Sequence, residues 1–194
     1  MTSKKILANR YEFNREGQAL INISVDSIND LFNSFDKKSA FSKRELDQDF
    51  VDYLIDSVKE LGGHDFKIRI LIEKEYNSMQ ENLLRKAITS FFAYMLELEK
   101  IKFRRELNKF FFLLMGGIVL LTLVSVYKVP DLPEVEAWMV ILHEGLVIAA
   151  WVGIWEALTA LIFAWGPYFN NKNIYQRIVD ADLDILNNLA KLVL

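Results

Sequence analysis

The chain has 194 residues, of which 52% are hydrophobic and 25% charged, and its formal net charge is −3. The absence of cysteine excludes disulfides, thiol catalysis and cysteine-ligated zinc. The nearly balanced charge gives no reason to expect nucleic acid as a partner. A mean hydropathy of +0.14 in so charged a chain predicts two parts, one solvated by water and the other by lipid.

Two stretches of the amino-terminal half alternate between apolar and polar residues, which is typical of strands. They are Ala19–Val25 and residues 66–73. Between them lies a predicted helix, opened by a capping box of Ser42 and Glu45 and ended by the Gly62-Gly63 pair. The order strand, helix, strand predicts a βαβ unit with parallel strands.

A second capping box, Ser78 with Glu81, predicts the start of another helix. No glycine or proline interrupts residues 78–115. We therefore expect one continuous helix from about Ser78 through the first apolar segment to Tyr127, about 75 Å long at about 1.5 Å per residue.

Two apolar segments, at about 110–127 and 139–165, are each long enough to cross a bilayer as a helix. A short acidic turn that contains proline separates them, which predicts a transmembrane helical hairpin in contact with the lipid bilayer. A basic cluster precedes the first span, whereas the turn has one lysine and three acidic residues. We expect an inner-membrane protein, and the cluster predicts that both of its termini lie in the cytoplasm. The cluster should also attract anionic lipid headgroups. Its members are Lys100, Lys102, Arg104, Arg105 and Lys109.

The predicted fold class is thus an α+β membrane protein, in which a long continuous helix joins a small cytoplasmic α/β domain to the two-helix hairpin. The expected boundaries are an amino-terminal extension (1–18), the α/β domain (19–100), the hairpin (101–168) and a cytoplasmic tail (169–194). Residues 179–186 fit both a strand and a helix. We favour a short strand over about 182–186 that returns to the sheet.

Glu156 lies about nine residues inside the second span, where an ionisable side chain is costly. One interpretation is a proton or cation site in an oligomeric pore. The one we favour is a neutral carboxyl that donates a hydrogen bond across a helix interface, for example to Thr122, Thr159 or a second subunit. Small residues that would let helices approach closely surround it or lie in the first span: Gly116, Gly117, Gly145, Ala149, Gly153 and Ala157.

His143 and Glu144 are adjacent near the outer end of the second span. No second histidine follows at the spacing of a metalloprotease motif, so we favour interfacial hydrogen bonding over metal ligation. Neither a metal site nor a cofactor is predicted.

Three segments resemble a family of small, uncharacterised bacterial two-span membrane proteins. Residues 30–49 (DLFNSFDKKSAFSKRELDQD) are similar to its LFNS-D-x4-F-x2-R-x-L-D signature, and residues 87–105 and 153–178 are similar to its helix into the membrane and its exit from it. The resemblance implies a bacterial origin and no established activity. In the signature, Asn33, Ser34 and Asp36 follow a strand, where α/β sheets often bind ligands, although such residues also build turns.

The leading hypothesis from the sequence is an oligomeric membrane protein that acts as a scaffold, sensor or signal-coupling component. Its expected partners are copies of itself and another membrane or cytoplasmic protein. The alternatives are a homo-oligomeric channel or proton-linked transporter that uses Glu156, and a membrane-anchored enzyme with a site near Asn33 and Asp36. No recognised catalytic motif supports the enzyme.

Overall fold

A computed structural model describes residues 10–33, 45–127 and 137–187. These form an α+β protein with one four-stranded sheet and two long apolar helices. The described residues group into two units that divide within both long helices. We call them the sheet unit, up to Glu97 and again from Lys172, and the helix unit, Leu98–Asn171.

The sheet contains strands β1 (Glu12–Phe13), β2 (Ala19–Val25), β3 (Phe66–Ile72) and β4 (Asp182–Asn187), in that spatial order. Strand β1 pairs antiparallel with β2, whereas β2–β3 and β3–β4 are parallel. The predicted βαβ unit is therefore confirmed, and so is the favoured strand near residue 182. Strand β1 lies in the stretch before Ala19, for which no strand was predicted.

Helix α1 (Gln48–Leu61) crosses from β2 to β3, and its start was predicted wrongly. Asp47 is the N-cap, and its side chain accepts hydrogen bonds from the backbone of Asp49 and Phe50. Leu46 lies outside the helix because it forms a β-bridge with Phe32, after the short 3₁₀ helix Ile28–Leu31. The Ser42–Glu45 box thus does not open α1, and Ser42 itself is outside the described residues. Gly62 ends the helix at φ 56°, a conformation that suits glycine.

Helix α2 (Ser78–Val126) has 49 residues without a break, which confirms the expected continuous helix. Its cap differs by one residue from the predicted one. The Asn77 side chain accepts from the Gln80 backbone at 2.8 Å, and the Gln80 side chain accepts from the Asn77 backbone at 3.0 Å. Asn77 and Gln80 thus form a reciprocal capping box, in place of the predicted pair Ser78 and Glu81.

Helix α3 (Ala137–Val179) continues through Pro167, well beyond the expected end of the second span. Only Asp180 and Ala181 separate the end of α3 from the start of β4. The residues whose sequence fitted both a helix and a strand are therefore divided between these two elements. Ile174 and Ile178 are buried as part of a helix, whereas Ile185 is buried as part of a strand. The turn between the spans, residues 128–136, lies outside the described residues.

The core of the sheet unit lies on one face of the sheet. Helix α1 contributes Leu54 and Val58, the first turns of α2 contribute Ile88 and Phe92, and the end of α3 contributes Ile178, all nearly or fully buried. Alternate residues of β2, β3 and β4 complete this cluster. The molecule therefore has two layers here, helices on one side and a sheet on the other.

Candidate functional site

In the helix unit, α2 and α3 run antiparallel and touch where both have small residues. A Cβ atom added to Gly117 would lie 2.7 Å from the Ile154 side chain and 3.0 Å from the Ala150 carbonyl oxygen. Gly153 lies against the backbone of the same part of α2, and Ala157 is fully buried. Gly117, Gly153 and Ala157 thus let the two helices approach closely.

The other predicted packing residues face away from this contact. Nothing lies within 4 Å of a Cβ added to Gly116 or to Gly145, and Ala149 is exposed. The sequence predicted one groove on the second span, formed by Gly145, Ala149, Gly153 and Ala157, and a matching notch at Gly116-Gly117. The structure brings only Gly117, Gly153 and Ala157 into the contact between the helices. Gly145 and Ala149 belong to an outer surface on α3, and Gly116 lies outside the contact on α2.

Glu156 belongs to the outer surface. It is one residue, or about 100° around the helix, from buried Ala157 and is itself exposed. Within the described residues it has no hydrogen bond or ion pair. The predicted hydrogen bond from this carboxyl to Thr122 or Thr159 is therefore not formed, and Thr122 donates to the carbonyl of Ile118 in its own helix at 2.8 Å.

His143 links the two helices at their other end. Its Nε2 lies 3.3 Å from the Val124 carbonyl oxygen, to which it donates when that nitrogen carries the proton. Val124 is in the last turn of α2, where carbonyls have no partner within the helix. Glu144 is exposed, 3.9 Å from His143 Nδ1. In the described part of the chain no three potential ligands converge to hold a metal ion.

Beside His143 the helices leave an apolar cavity of about 460 Å³. Tyr127 and Trp138 are among its lining residues, together with Leu120, Leu142 and Leu146. This lining suits an acyl chain or an apolar side chain, since His143 is its main source of polarity.

An aromatic cluster lies at the opposite end of the helix unit, centred on Phe103. Its ring stacks on Tyr168 at 4.1 Å between centroids, and it makes edge contacts with Trp165 and Phe169. Trp165 and Tyr168 lie near the end of the second apolar segment, where aromatic side chains are typical of a membrane interface. Phe103 was not identified from the sequence. The signal was available: Phe103 is an aromatic residue within a run of basic ones.

All five basic residues of the predicted headgroup cluster are exposed on α2 around Phe103. Lys102 pairs with Glu99 at 2.9 Å. Arg104, Arg105 and Lys109 form no ion pair with any described residue. These three side chains are therefore available to anionic groups outside the chain.

The candidate ligand site in the signature is only partly described. The backbone N–H of Asn33 donates to the Glu45 carbonyl at 2.9 Å, which ties this stretch to the approach of α1. The 3₁₀ helix separates Asn33 from the end of β2, so the site does not directly follow the strand. Ser34 and Asp36 lie outside the described residues, and the ligand site stays a prediction.

The amino-terminal edge of the parallel strands has a polar cavity of about 330 Å³. Arg177 lies beside it and donates to the carbonyls of Gly62 and His64, while its guanidinium packs 4.9 Å from the Phe66 ring centroid. Arg177 is therefore already engaged in joining α3 to the turn before β3. Ligands of parallel sheets usually bind at the opposite, carboxyl edge.

The chain matches no protein-family model, no curated protein and no solved structure. Its resemblance to the bacterial two-span family stays a prediction.

Proposed function

We propose that this chain is an inner-membrane protein with two spans, which self-associates in the bilayer and uses its sheet unit, on the cytoplasmic side, as a scaffold, sensor or signal-coupling module. The observation that carries the proposal is the exposed apolar surface of the helix unit. In the most apolar stretch of α2 and of α3 alike, only 11% of the residues are buried.

Water is a poor solvent for such a surface. Phe112, Ile141, Trp155 and Phe163 are each between 70% and 80% exposed. Soluble monomers seldom expose contiguous apolar patches of more than several hundred Å². Lipid tails would solvate these side chains at no cost, and both helices are long enough to cross the hydrocarbon layer.

The proposed orientation depends on the Phe103 end of the helix unit. Aromatic rings and unpaired cations occur together there, as they do at the cytoplasmic boundary of membrane helices. With this end inside, residues 128–136 would face outward and both termini the cytoplasm.

Self-association is supported by the outer surface of α3. Glu156 has no partner in the described chain, and placing an ionisable group at such depth costs about 3 kcal/mol on insertion scales. A helix from a second copy that packs over Gly145 and Ala149 would cover the carboxyl and supply a hydrogen-bond partner.

Two measurements test the proposal. Because the chain has no cysteine, single cysteines report topology directly. In intact cells, a membrane-impermeant maleimide should label Asp131→Cys and leave Asp52→Cys unlabelled. The mass of the chain in nanodiscs should correspond to at least two copies. Labelling of Asp52→Cys from outside would refute the orientation, and a monomeric mass would refute the assembly.

Glu156 also favours a second candidate, a homo-oligomeric channel or proton-linked transporter. In it, several copies of the carboxyl would line a path between subunits. We expect wild-type chain in liposomes to pass protons or cations, and Glu156→Gln to lose that flux while keeping its mass. Absence of flux from both forms would eliminate this candidate and leave the scaffold.

A further inference from the structure

In the part of the chain that the structure describes, the core and its helices lie on one face of the sheet, and the opposite face consists of residues outside that core. On β3 it presents Lys67, Arg69 and Leu71, which alternate with core positions, and on β4 it presents Asp182, Asp184 and Leu186. None of the six belongs to the core. We call these six residues the open face.

Parallel strands seldom have one face outside the core. Strands β2, β3 and β4 are parallel, and parallel strands nearly always have both faces covered. Leu71 and Leu186 are apolar residues on the open face, directly opposite each other in register, and Leu186 is 36% exposed. The open face thus has the pattern of a surface that another layer covers.

Arg69 is the second sign of a missing partner. Its Nε is buried and has no hydrogen-bond partner in the described structure, although buried donors almost always have one. Asp184 is directly opposite Arg69 on β4, yet the Asp184 carboxylate lies 3.6 Å from Lys67 Nζ. No residue in the described ranges supplies an acceptor to this donor.

The charges of the open face are arranged so that a second copy of the chain would supply a carboxylate to Arg69. The register pairs Lys67 with Asp182, Arg69 with Asp184 and Leu71 with Leu186. A twofold axis parallel to the strands, between two stacked sheets, brings β3 of each copy over β4 of the other at the same level. Each basic residue then faces the acidic residue of its register pair, and leucine faces leucine.

We propose that the open face is a docking surface for a second copy of this chain, with Arg69 of each copy bound to Asp184 of the other. The inference deepens the proposed self-association and depends on it. The two strands that overlap, each about 20 Å long and roughly 4.8 Å apart, offer on the order of 200 Å² per copy. That area is below what a stable dimer in solution needs, so the contact forms between copies that the membrane already holds together.

The edge of the sheet does not compete for this role. On β4 the carbonyl of Leu183 accepts from Arg85 Nη1, and that of Ile185 accepts from the Tyr76 hydroxyl at 3.2 Å. Two acceptors that an added strand would use are therefore already taken. At the β4 edge, these contacts hinder pairing with an added strand, whereas they leave face-to-face stacking of β3 and β4 open to a second copy.

Cross-linking between two tagged copies tests the contact in the full-length chain in membranes. One copy carries Leu71→Cys and the other Leu186→Cys, and a short bifunctional thiol reagent spans the gap between stacked sheets. We expect a cross-linked heterodimer. The control pair, both copies with Asp52→Cys on the exposed side of α1, should give at least fivefold less product. Equal yields from the two pairs would overturn the proposal.

Charge reversal then tests the specific pairing. Arg69→Glu or Asp184→Arg alone puts like charges opposite each other and should reduce the cross-linking yield at least fivefold. The double variant Arg69→Glu/Asp184→Arg should recover it to within twofold of wild type. Lys86→Glu, an equal charge reversal on the exposed side of α2, should have no effect. Circular dichroism identifies any variant that has merely unfolded, and failure of a folded double variant to recover would overturn the pairing.

The mass in nanodiscs separates this inference from the proposed function. Oligomeric chain without a cross-link between the Leu71→Cys copy and the Leu186→Cys copy would overturn the sheet contact and leave self-association intact. Monomeric chain would overturn both. A cross-link from the Leu71→Cys variant to a protein of different mass would assign the open face to another partner and equally refute the proposal.

Discussion

Phe92 and Phe112 belong to the same helix, yet one is completely buried and the other 80% exposed. The first lies in the sheet unit, where helices cover one face of a sheet and hide apolar side chains from water. The second lies in the helix unit, where most large apolar side chains are exposed. One continuous helix thus buries its large apolar residues in one part and exposes them in the other, the pattern expected if lipid solvates the second part.

The largest expected effect comes from truncating one isoleucine in each unit. Ile68→Ala removes a fully buried side chain from the sheet and should lower the free energy of unfolding by about 2–5 kcal/mol. Ile162→Ala removes one that is 69% exposed and should change it by less than about 1 kcal/mol. Urea titration of the detergent-solubilised chain measures both. Similar losses would mean that Ile162 is packed against protein.

Two adjacent glycines sharpen the contrast within the helix unit. Gly117→Ala forces a Cβ against Ile154 and the Ala150 carbonyl, so we expect a loss of about 1–3 kcal/mol. Gly116→Ala has open space around it and should be neutral or slightly stabilising, because alanine favours a helix. Unfolding of the helix pair by titration with a denaturing detergent compares them. If Gly116→Ala were the more destabilising variant, α2 would have to be rotated about its axis so that Gly116, and not Gly117, faces α3.

A smaller effect should follow loss of the α1 cap in the sheet unit. Asp47→Ala leaves two backbone N–H groups without their acceptor and should cost about 1 kcal/mol. Ser42→Ala, at the position that the sequence pattern favoured, should have no effect on stability. If the serine variant were the destabilised one, the helix would begin earlier than residue 48. Thermal unfolding followed by circular dichroism distinguishes the two.

The smallest effect is confined to alkaline pH. Burial raises the pKa of the Tyr76 phenol above its usual value, the Glu81 carboxylate adds to the rise and Arg85 opposes it. The folded chain thus holds this proton more tightly, so stability should fall as pH rises past about 10, where the unfolded phenol ionises. Tyr76→Phe should flatten that fall in Tm between pH 9 and 11. At pH 8 the Tm values of wild type and Tyr76→Phe should differ only by the contribution of the hydrogen bond to Ile185. If Tyr76→Phe lost Tm as steeply as wild type between pH 9 and 11, Tyr76 would not be the group responsible.

Several elements followed from the sequence because a local pattern sufficed. The period of two gave strands β2 and β3, and the uninterrupted run from residue 78 gave helix α2. The cap of α1 did not follow, since a bridge between Leu46 and Phe32 keeps the preceding residues out of the helix. That pairing joins residues far apart in the chain, which a local pattern does not record.

The candidate site shows the same limit. The sequence identified small residues around Glu156, but not which of them face the partner helix, because that depends on how each helix is rotated about its axis. In the sequence, Arg69 is one of the polar residues that alternate with apolar ones in a predicted strand. Only the folded sheet shows that its face lies opposite the core and that its Nε has no acceptor among the described residues.

By itself the sequence determined where apolar surface is concentrated, and hence the two long helices and the strands whose alternation divides apolar from polar. The tertiary structure alone decided which surfaces meet: Gly117 lies against Ile154 and one sheet face lies against the helices, while Glu156 and Arg69 Nε have no partner among the described residues. Hydrophobicity is a property of each residue, whereas complementarity is a property of surfaces that exist only once the chain has folded.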